Sequence, residues 1–152
     1  MFNIFYQSLR DNYIEEAKVN LLTQGSILSN QISDDYHNLD KTSVYQYVLE
    51  YIKDTSLNLD SRILVLTDQR EVLIDSHDIL NGLYITNLTD LDQSMEGNSV
   101  ATLYNIQGVG RTLYVSVPIT EVESEILGSI LISSGVEDIF DRISDTMQKV
   151  IL

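Results

Sequence analysis

The sequence predicts an α+β domain in which helices cover one face of a five-stranded antiparallel sheet and longer loops lie near the other. Three observations carry this expectation. Apolar residues in the first third recur at three- and four-residue steps with no proline among them. The period then shortens to that of strands, in short aliphatic runs bounded by turn residues. Apolar residues make up 43% of the 152 positions and are spread along the chain, enough for one well-packed core. Consecutive strands joined by tight turns imply antiparallel pairing. No internal repeat, low-complexity tract or linker divides the chain, so one domain over 1–152 is expected.

The first helix is expected over 1–32. Ile14, Ala17, Leu21, Leu28 and Ile32 form one stripe, and Phe2, Tyr6, Leu9 and Tyr13 extend a neighbouring one. Its length exceeds the globular average of ~12 residues, so part of it should project beyond the domain. Ile14, Leu21 and Leu28 stand seven apart and suit a seam against a twin helix, although so few repeats beside Gly25 give a coiled coil little support. After Ser33-Asp34-Asp35 a second helix reads from Ser43 to Thr55. Its apolar stripe is Val44, Tyr47, Val48, Tyr51 and Ile52, and Asp40, Thr42 and Ser43 offer capping oxygens.

Arg62 to Thr67 and Glu71 to Asp75 read as a hairpin around the turn Asp68-Gln69-Arg70. From Ser76 to Asn98 the pattern loosens into loop, with a short helix from Thr89 to Glu96 ended by Gly97. Val100 to Gln107 and Arg111 to Ile119 flank the turn Gly108-Val109-Gly110. Pro118 cannot donate a ladder hydrogen bond, so that end of the strand should lie at an edge or at the strand's limit. After the exposed connection 121–125, Ile126 to Ser133 reads as the fifth strand. Gly135 separates it from a last helix over 136–152, whose stripe is Val136, Ile139, Phe140, Ile143, Met147, Val150 and Ile151.

A formal charge of −14 argues against nucleic acid and against a polybasic membrane patch. With no cysteine, the chain has no disulfide, thiolate–zinc or iron–sulfur chemistry. No run of residues is long and apolar enough to span a bilayer. The apolar ends, Met1 to Tyr6 and Val150 to Leu152, suggest a segment cut from a longer chain with a membrane helix outside each end; ordinary terminal packing is the alternative.

No catalytic residues, metal ligands or cofactor are expected. His37 and His77 sit in polar stretches without a metal-ligand spacing, and Ser76-His77-Asp78 are neighbours that cannot form a triad among themselves. Gly108-Val109-Gly110 lacks the lysine and following helix of a phosphate loop. Asp68, Asp75 and Asp78, like Asp90, Asp92 and Glu96, do not match a calcium loop. Four residues are candidates for ligand binding. Arg111 is the sole cation between Glu71 and Asp141, able to hold an anionic group or to pair across strands with a carboxylate. Tyr84, Tyr104 and Tyr114 lie where strands or their flanking loops could line a pocket, or simply rim the core.

Two stretches carry a resemblance. Ile63 to Ser76, an aliphatic strand, Asp, polar turn, Val-Leu and Asp-Ser, resembles the signature of extracellular PAS-like domains, also called single Cache or PDC domains. Tyr114 to Ile119 followed by Ile126 to Ser133 looks like that family's closing strand pair. One departure is Arg70-Glu71, where many relatives place a glycine. Within the family the chain is most similar to ectodomains of WalK-type sensor histidine kinases, regulators of cell-wall metabolism in Gram-positive bacteria. The resemblance implies an extracellular segment of the cell membrane, between two membrane helices. It further implies a homodimer, associated here through the N-terminal helix, that signals to a cytoplasmic kinase, and a fragment without activity of its own. The stimulus is left open: a small molecule, a cation or a membrane-protein partner. Alternatives are a ligand-free structural ectodomain, the sensor of a chemoreceptor, a cytoplasmic adaptor of PAS-like or longin-like fold and, last, a hydrolase.

Overall fold

A computed structural model describes residues 2–122 and 125–137, together with 145, 148 and 149. Helix α1 runs over Phe2–Asp35, a single 3-10 turn follows at Tyr36–Asn38, and helix α2 covers Thr42–Leu59. The strands are β1 (Arg62–Thr67), β2 (Val72–Asp75), β3 (Val100–Ile106), β4 (Gly110–Thr120) and β5 (Ile126–Gly135), with helix α3 (Thr89–Met95) between β2 and β3. All neighbours are antiparallel, in the order β2-β1-β5-β4-β3. The first and last strands in sequence therefore pair at the middle of the sheet.

Alternation along the strands divides the sheet into two faces. Ile63 and Val65 of β1, Leu113, Val115, Val117 and Ile119 of β4, and Ile130 and Ile132 of β5 meet α1 and α2 in one apolar core. Helix α1 contributes Ile14, Leu21, Leu28 and Ile32, and α2 contributes Val48 and Ile52. Gly25 makes the close approach of α1 possible, because a Cβ there would stand 2.8 Å from Val117 Cγ2. Gly128 does the same for strand pairing. A Cβ would meet the Leu66 carbonyl oxygen at 2.0 Å, so only glycine lets β5 lie against β1 at this register.

The seam expected of Ile14, Leu21 and Leu28 is corrected by this burial. At 8%, 4% and 1% exposure they pack on the chain's own sheet, and a twin helix cannot use them without unpacking it. Seven-residue spacing fits a sheet surface as well as a second helix, because both are served by one stripe. The second helix also differs in detail. Tyr47 is exposed, while Tyr45 packs against the core and donates from its hydroxyl to the Leu73 carbonyl at 3.3 Å. Lys41 is the N-cap, with no side-chain cap, so Asp40, Thr42 and Ser43 do not serve.

Pro118 sits inside β4 rather than closing it, since the strand continues to Thr120. Its missing N–H costs nothing there, because β3 pairs with β4 only as far as Ser116 and leaves that flank without a strand partner. The Pro118 carbonyl accepts from Ser29 Oγ of α1 at 2.6 Å. The closing helix expected over 136–152 is described at Val136, Glu137, Asp145, Gln148 and Lys149, all helical. The rest of it lies outside the described residues, including Ile139, Phe140, Ile143, Met147, Val150 and Ile151.

Candidate functional site

The face away from α1 and α2 is built differently. Helix α3 covers one end of it, with Leu91 joining Leu64, Leu66, Val72 and Leu131 in a second small core. A buried serine cluster anchors the helix: Ser94 Oγ lies 2.8 Å from Ser129 Oγ, which is 3.1 Å from Ser116 Oγ and donates to the Val117 carbonyl at 3.2 Å. The other end is open. There a cavity of about 430 Å³ is floored by Arg62 and Leu64 of β1, Leu131 and Ser133 of β5, Tyr114 of β4, and Tyr104 and Ile106 of β3. Leu80, Ile85, Asn87 and Leu88, from the segment between β2 and α3, form its wall. A mostly apolar hollow with a few convergent polar groups is the usual form of a small-molecule site.

Asp75 fixes that wall. Its carboxylate accepts from Arg62 Nε at 3.0 Å and Nη2 at 2.6 Å. It also accepts from the backbone N–H groups of His77, Ile79 and Leu80 at 2.8 to 3.0 Å. Burial alone would raise the carboxyl pKa, but the guanidinium and the three N–H donors outweigh it and hold the group well below the ordinary carboxylate range. The segment is held a second time by backbone bonds to the hairpin, Val72 N–H to the Leu83 carbonyl at 2.8 Å and Ile85 N–H to the Arg70 carbonyl at 3.0 Å. Arg70 itself takes the left-handed conformation, φ 71°, at a turn that contains no glycine, and its side chain pairs with Asp92 of α3. The turn thus keeps glycine-like geometry without glycine.

At the far side of the floor, the Tyr104 hydroxyl donates to Asp90 Oδ1 at 2.8 Å and Thr102 Oγ1 approaches the same oxygen at 3.4 Å. Burial first, reinforced by the charge and hydrogen bond of Asp90 against the opposing effect of Thr89, raises the Tyr104 pKa and keeps the hydroxyl protonated. The Tyr104 and Tyr114 rings meet edge to face, centroids 5.5 Å apart. Asp90 is buried, and its Oδ2 has no hydrogen-bond partner among the described residues.

Of the candidates named from sequence, the structure brings Tyr104 and Tyr114 together in the cavity floor. Tyr84 and Arg111 lie apart from its lining. Tyr84 is exposed on the outer segment, with its hydroxyl 3.3 Å from Glu71 Oε2, and Arg111 pairs with Glu137 at 3.6 Å. Sequence reasoning missed Arg62, Asp75 and Asp90. Arg62 shares the period-two face of Leu64 and Leu66, which marks it as pointing into whatever covers that face. Nothing in the order of residues marks Asp90. Among the described residues no group of three His, Cys, Asp or Glu side chains is placed to hold a metal, and no helix is long and apolar enough to cross a membrane.

No protein-family model matches the chain, and no curated protein is detectably similar to it in sequence. Solved structures are similar in fold. The sensor domain of the V. cholerae histidine kinase DctB superposes with a TM-score of 0.60 at 13% identity, over 86% of this chain and 57% of that one. The E. coli DcuS sensor domain gives 0.62 at 13%, over 88% and 98%. The ligand-binding domain of the Campylobacter jejuni chemoreceptor Tlp3, in complex with L-valine, gives 0.69 at 14%, over 91% and 60%. The chain thus spans about three fifths of the DctB and Tlp3 domains and nearly all of DcuS. At such identities the likeness carries the fold alone.

Proposed function

We propose that this chain is the extracytoplasmic sensing domain of a membrane receptor, a sensor histidine kinase or a chemoreceptor, and that it binds a small molecule in the cavity opposite its helices. One observation carries the reading: β5 supplies Leu131 and Ser133 to the cavity floor and ends at Gly135, directly before helical Val136. A ligand that repositions β5 displaces the start of the closing helix, the segment that would lead toward the membrane. Such a ligand shifts signalling only by its difference in affinity between two states of the domain. The fold shared with kinase and chemoreceptor sensor domains supports the sensing role, and Tlp3 supplies a case of an amino acid bound by a domain of this fold.

The finer reading, a WalK-type kinase ectodomain, rests on the hairpin and closing-strand motifs. In that reading the fragment is a binding module, with phosphoryl transfer residing elsewhere in its parent. A homodimer through α1 would use the helix's outer surface, where Ile4, Val19 and Ile27 are exposed, since the inner stripe is taken by the core. The test is a metabolite library screened against the chain by thermal shift. A true ligand raises the melting temperature by mass action, and Leu131→Trp, which fills the cavity, removes that shift while the domain stays folded. A library in which no shift depends on Leu131 would count against the sensing role. In the full receptor, a flexible insertion at Gly135 is expected to uncouple ligand from kinase output; unchanged signalling would exclude transmission through this junction.

A further inference from the structure

The segment that walls the cavity carries a reactive pair that ligand binding does not use. Asn81-Gly82 is the only Asn-Gly sequence in the chain, and the other asparagines, Asn98 apart, precede larger residues. An asparagine side chain can close a ring onto the next backbone nitrogen, and glycine hinders that closure least because it has no Cβ. Asn81 is exposed, and its amide has no hydrogen-bond partner among the described residues. Gly82 stands at φ +83°, where a Cβ would meet nothing within 4 Å. One contact restrains the pair. The Gly82 N–H donates to the Val72 carbonyl at 2.9 Å, so the nitrogen that must lose its proton to attack is engaged. The strap 82–85 is tied along the outer edge of β2 by two more bonds, Val72 N–H to Leu83 at 2.8 Å and Ile85 N–H to Arg70 at 3.0 Å. Upstream, Asp75 holds the N–H groups of His77, Ile79 and Leu80. Ring closure therefore requires a local opening of the strap.

We infer that Asn81 is a site of self-modification in the folded domain, and that release of the strap 82–85 from β2 sets its rate. In the open strap the Gly82 nitrogen gives its proton to water and bonds to Asn81 Cγ. The Cγ–Nδ2 bond then breaks, and ammonia leaves. Water opens the resulting five-membered imide at either carbonyl, yielding aspartate or its β-linked isomer. Asparagine and water thus become an aspartyl residue and ammonia, with no change of oxidation state and no co-reactant but water. Either product adds a negative charge. The β-linked form also inserts one more backbone atom between residues 81 and 82. Leu80, anchored by Asp75, and Ile85, tied to Arg70, both line the cavity, so the extra atom moves one relative to the other. The modification therefore alters the cavity wall irreversibly.

Peptide mapping by mass spectrometry of the 152-residue chain, held at mildly alkaline pH, tests this, with hydrogen exchange at the Gly82 amide as the independent measure of opening. Asn81 is expected to gain about 1 Da at least about tenfold more slowly in the folded chain than in concentrated urea. The slowing should match the protection of the Gly82 amide within about threefold. Asp75→Asn, which frees the start of the segment, should raise conversion and exchange together; should that variant not fold, the match in the wild-type chain decides. Isolated by ion exchange, the β-linked form should melt at a lower temperature than Asn81→Asp, which adds the same charge on an ordinary backbone. Conversion in the folded chain as fast as in urea, with the Gly82 amide still protected, would overturn control by the strap. Absence of conversion at Asn81 over the time that the Gly82 protection predicts removes the site. Equal melting of the two acidic forms would overturn the effect on the wall.

Discussion

Consecutive residues of β5 look into two different environments. Ile130 and Ile132 are buried among aliphatic side chains of α1 and α2, while Leu131 and Ser133 floor a cavity. The helix side is a closed aliphatic core. The other side holds buried polar groups, Asp75, Asp90, Ser94, Ser116 and Ser129, each of which must find hydrogen-bond partners when water is removed. The contrast teaches where each property resides. Close packing on one face supplies stability, and the incompletely filled, polar face has room for recognition.

The seam that carries both faces should be the most sensitive point. Gly128→Ala forces a methyl group into the Leu66 carbonyl, and a loss of about 4 kcal/mol or more is expected by urea denaturation, enough to unfold a marginal domain. The two sides of β5 should then separate. Ile132→Ala is expected to cost about 4 kcal/mol and Leu131→Ala about 2, because the second deletion enlarges a hollow that already exists. Equal losses would mean that the cavity closes in solution. For ligand affinity the order should reverse.

Asp75 tests whether the polar face is held by charge. Asp75→Asn leaves Arg62 without its counter-ion, and a cost of about 3 kcal/mol is expected at neutral pH. The sign of the pH dependence follows from the lowered pKa. The folded value lies below the unfolded one of ~3.9, so the stabilisation is present above that pH and disappears as the pH falls through the folded value. The gap between wild type and Asp75→Asn should therefore narrow below about pH 4, as read by denaturant melts across pH. A constant gap would place the loss in packing instead. The smallest effect is expected at the hairpin turn. Arg70→Gly relieves a left-handed conformation worth about 1 kcal/mol and removes a partly exposed ion pair to Asp92 worth somewhat less, leaving stability unchanged or slightly raised.

Local pattern explains which parts of this architecture are legible in the order of residues. The 3.6-residue stripe of Ile14, Leu21, Leu28 and Ile32 determines a helix with one apolar side, the short aliphatic run of Arg62–Thr67 between turn residues determines a strand, and alternation in Gly110–Thr120 determines a strand with two distinct faces. Tyr104 and Tyr114 were legible as pocket candidates because amphipathic rings on strands need a wet edge. What covers each apolar side is not local information. The same heptad spacing would serve a twin helix or a sheet, and only folding assigned it to the sheet. Likewise Asp90, silent in sequence, gains its character from Thr102 and Tyr104, which reach it through the docking of α3 beneath β3. The pairing of β1 with β5 joins residues some seventy positions apart, such as Arg62 and Ser133. Periodicity acts over a few residues and so fixes the elements, whereas register and burial are decided by surfaces that meet only once the chain has closed on itself.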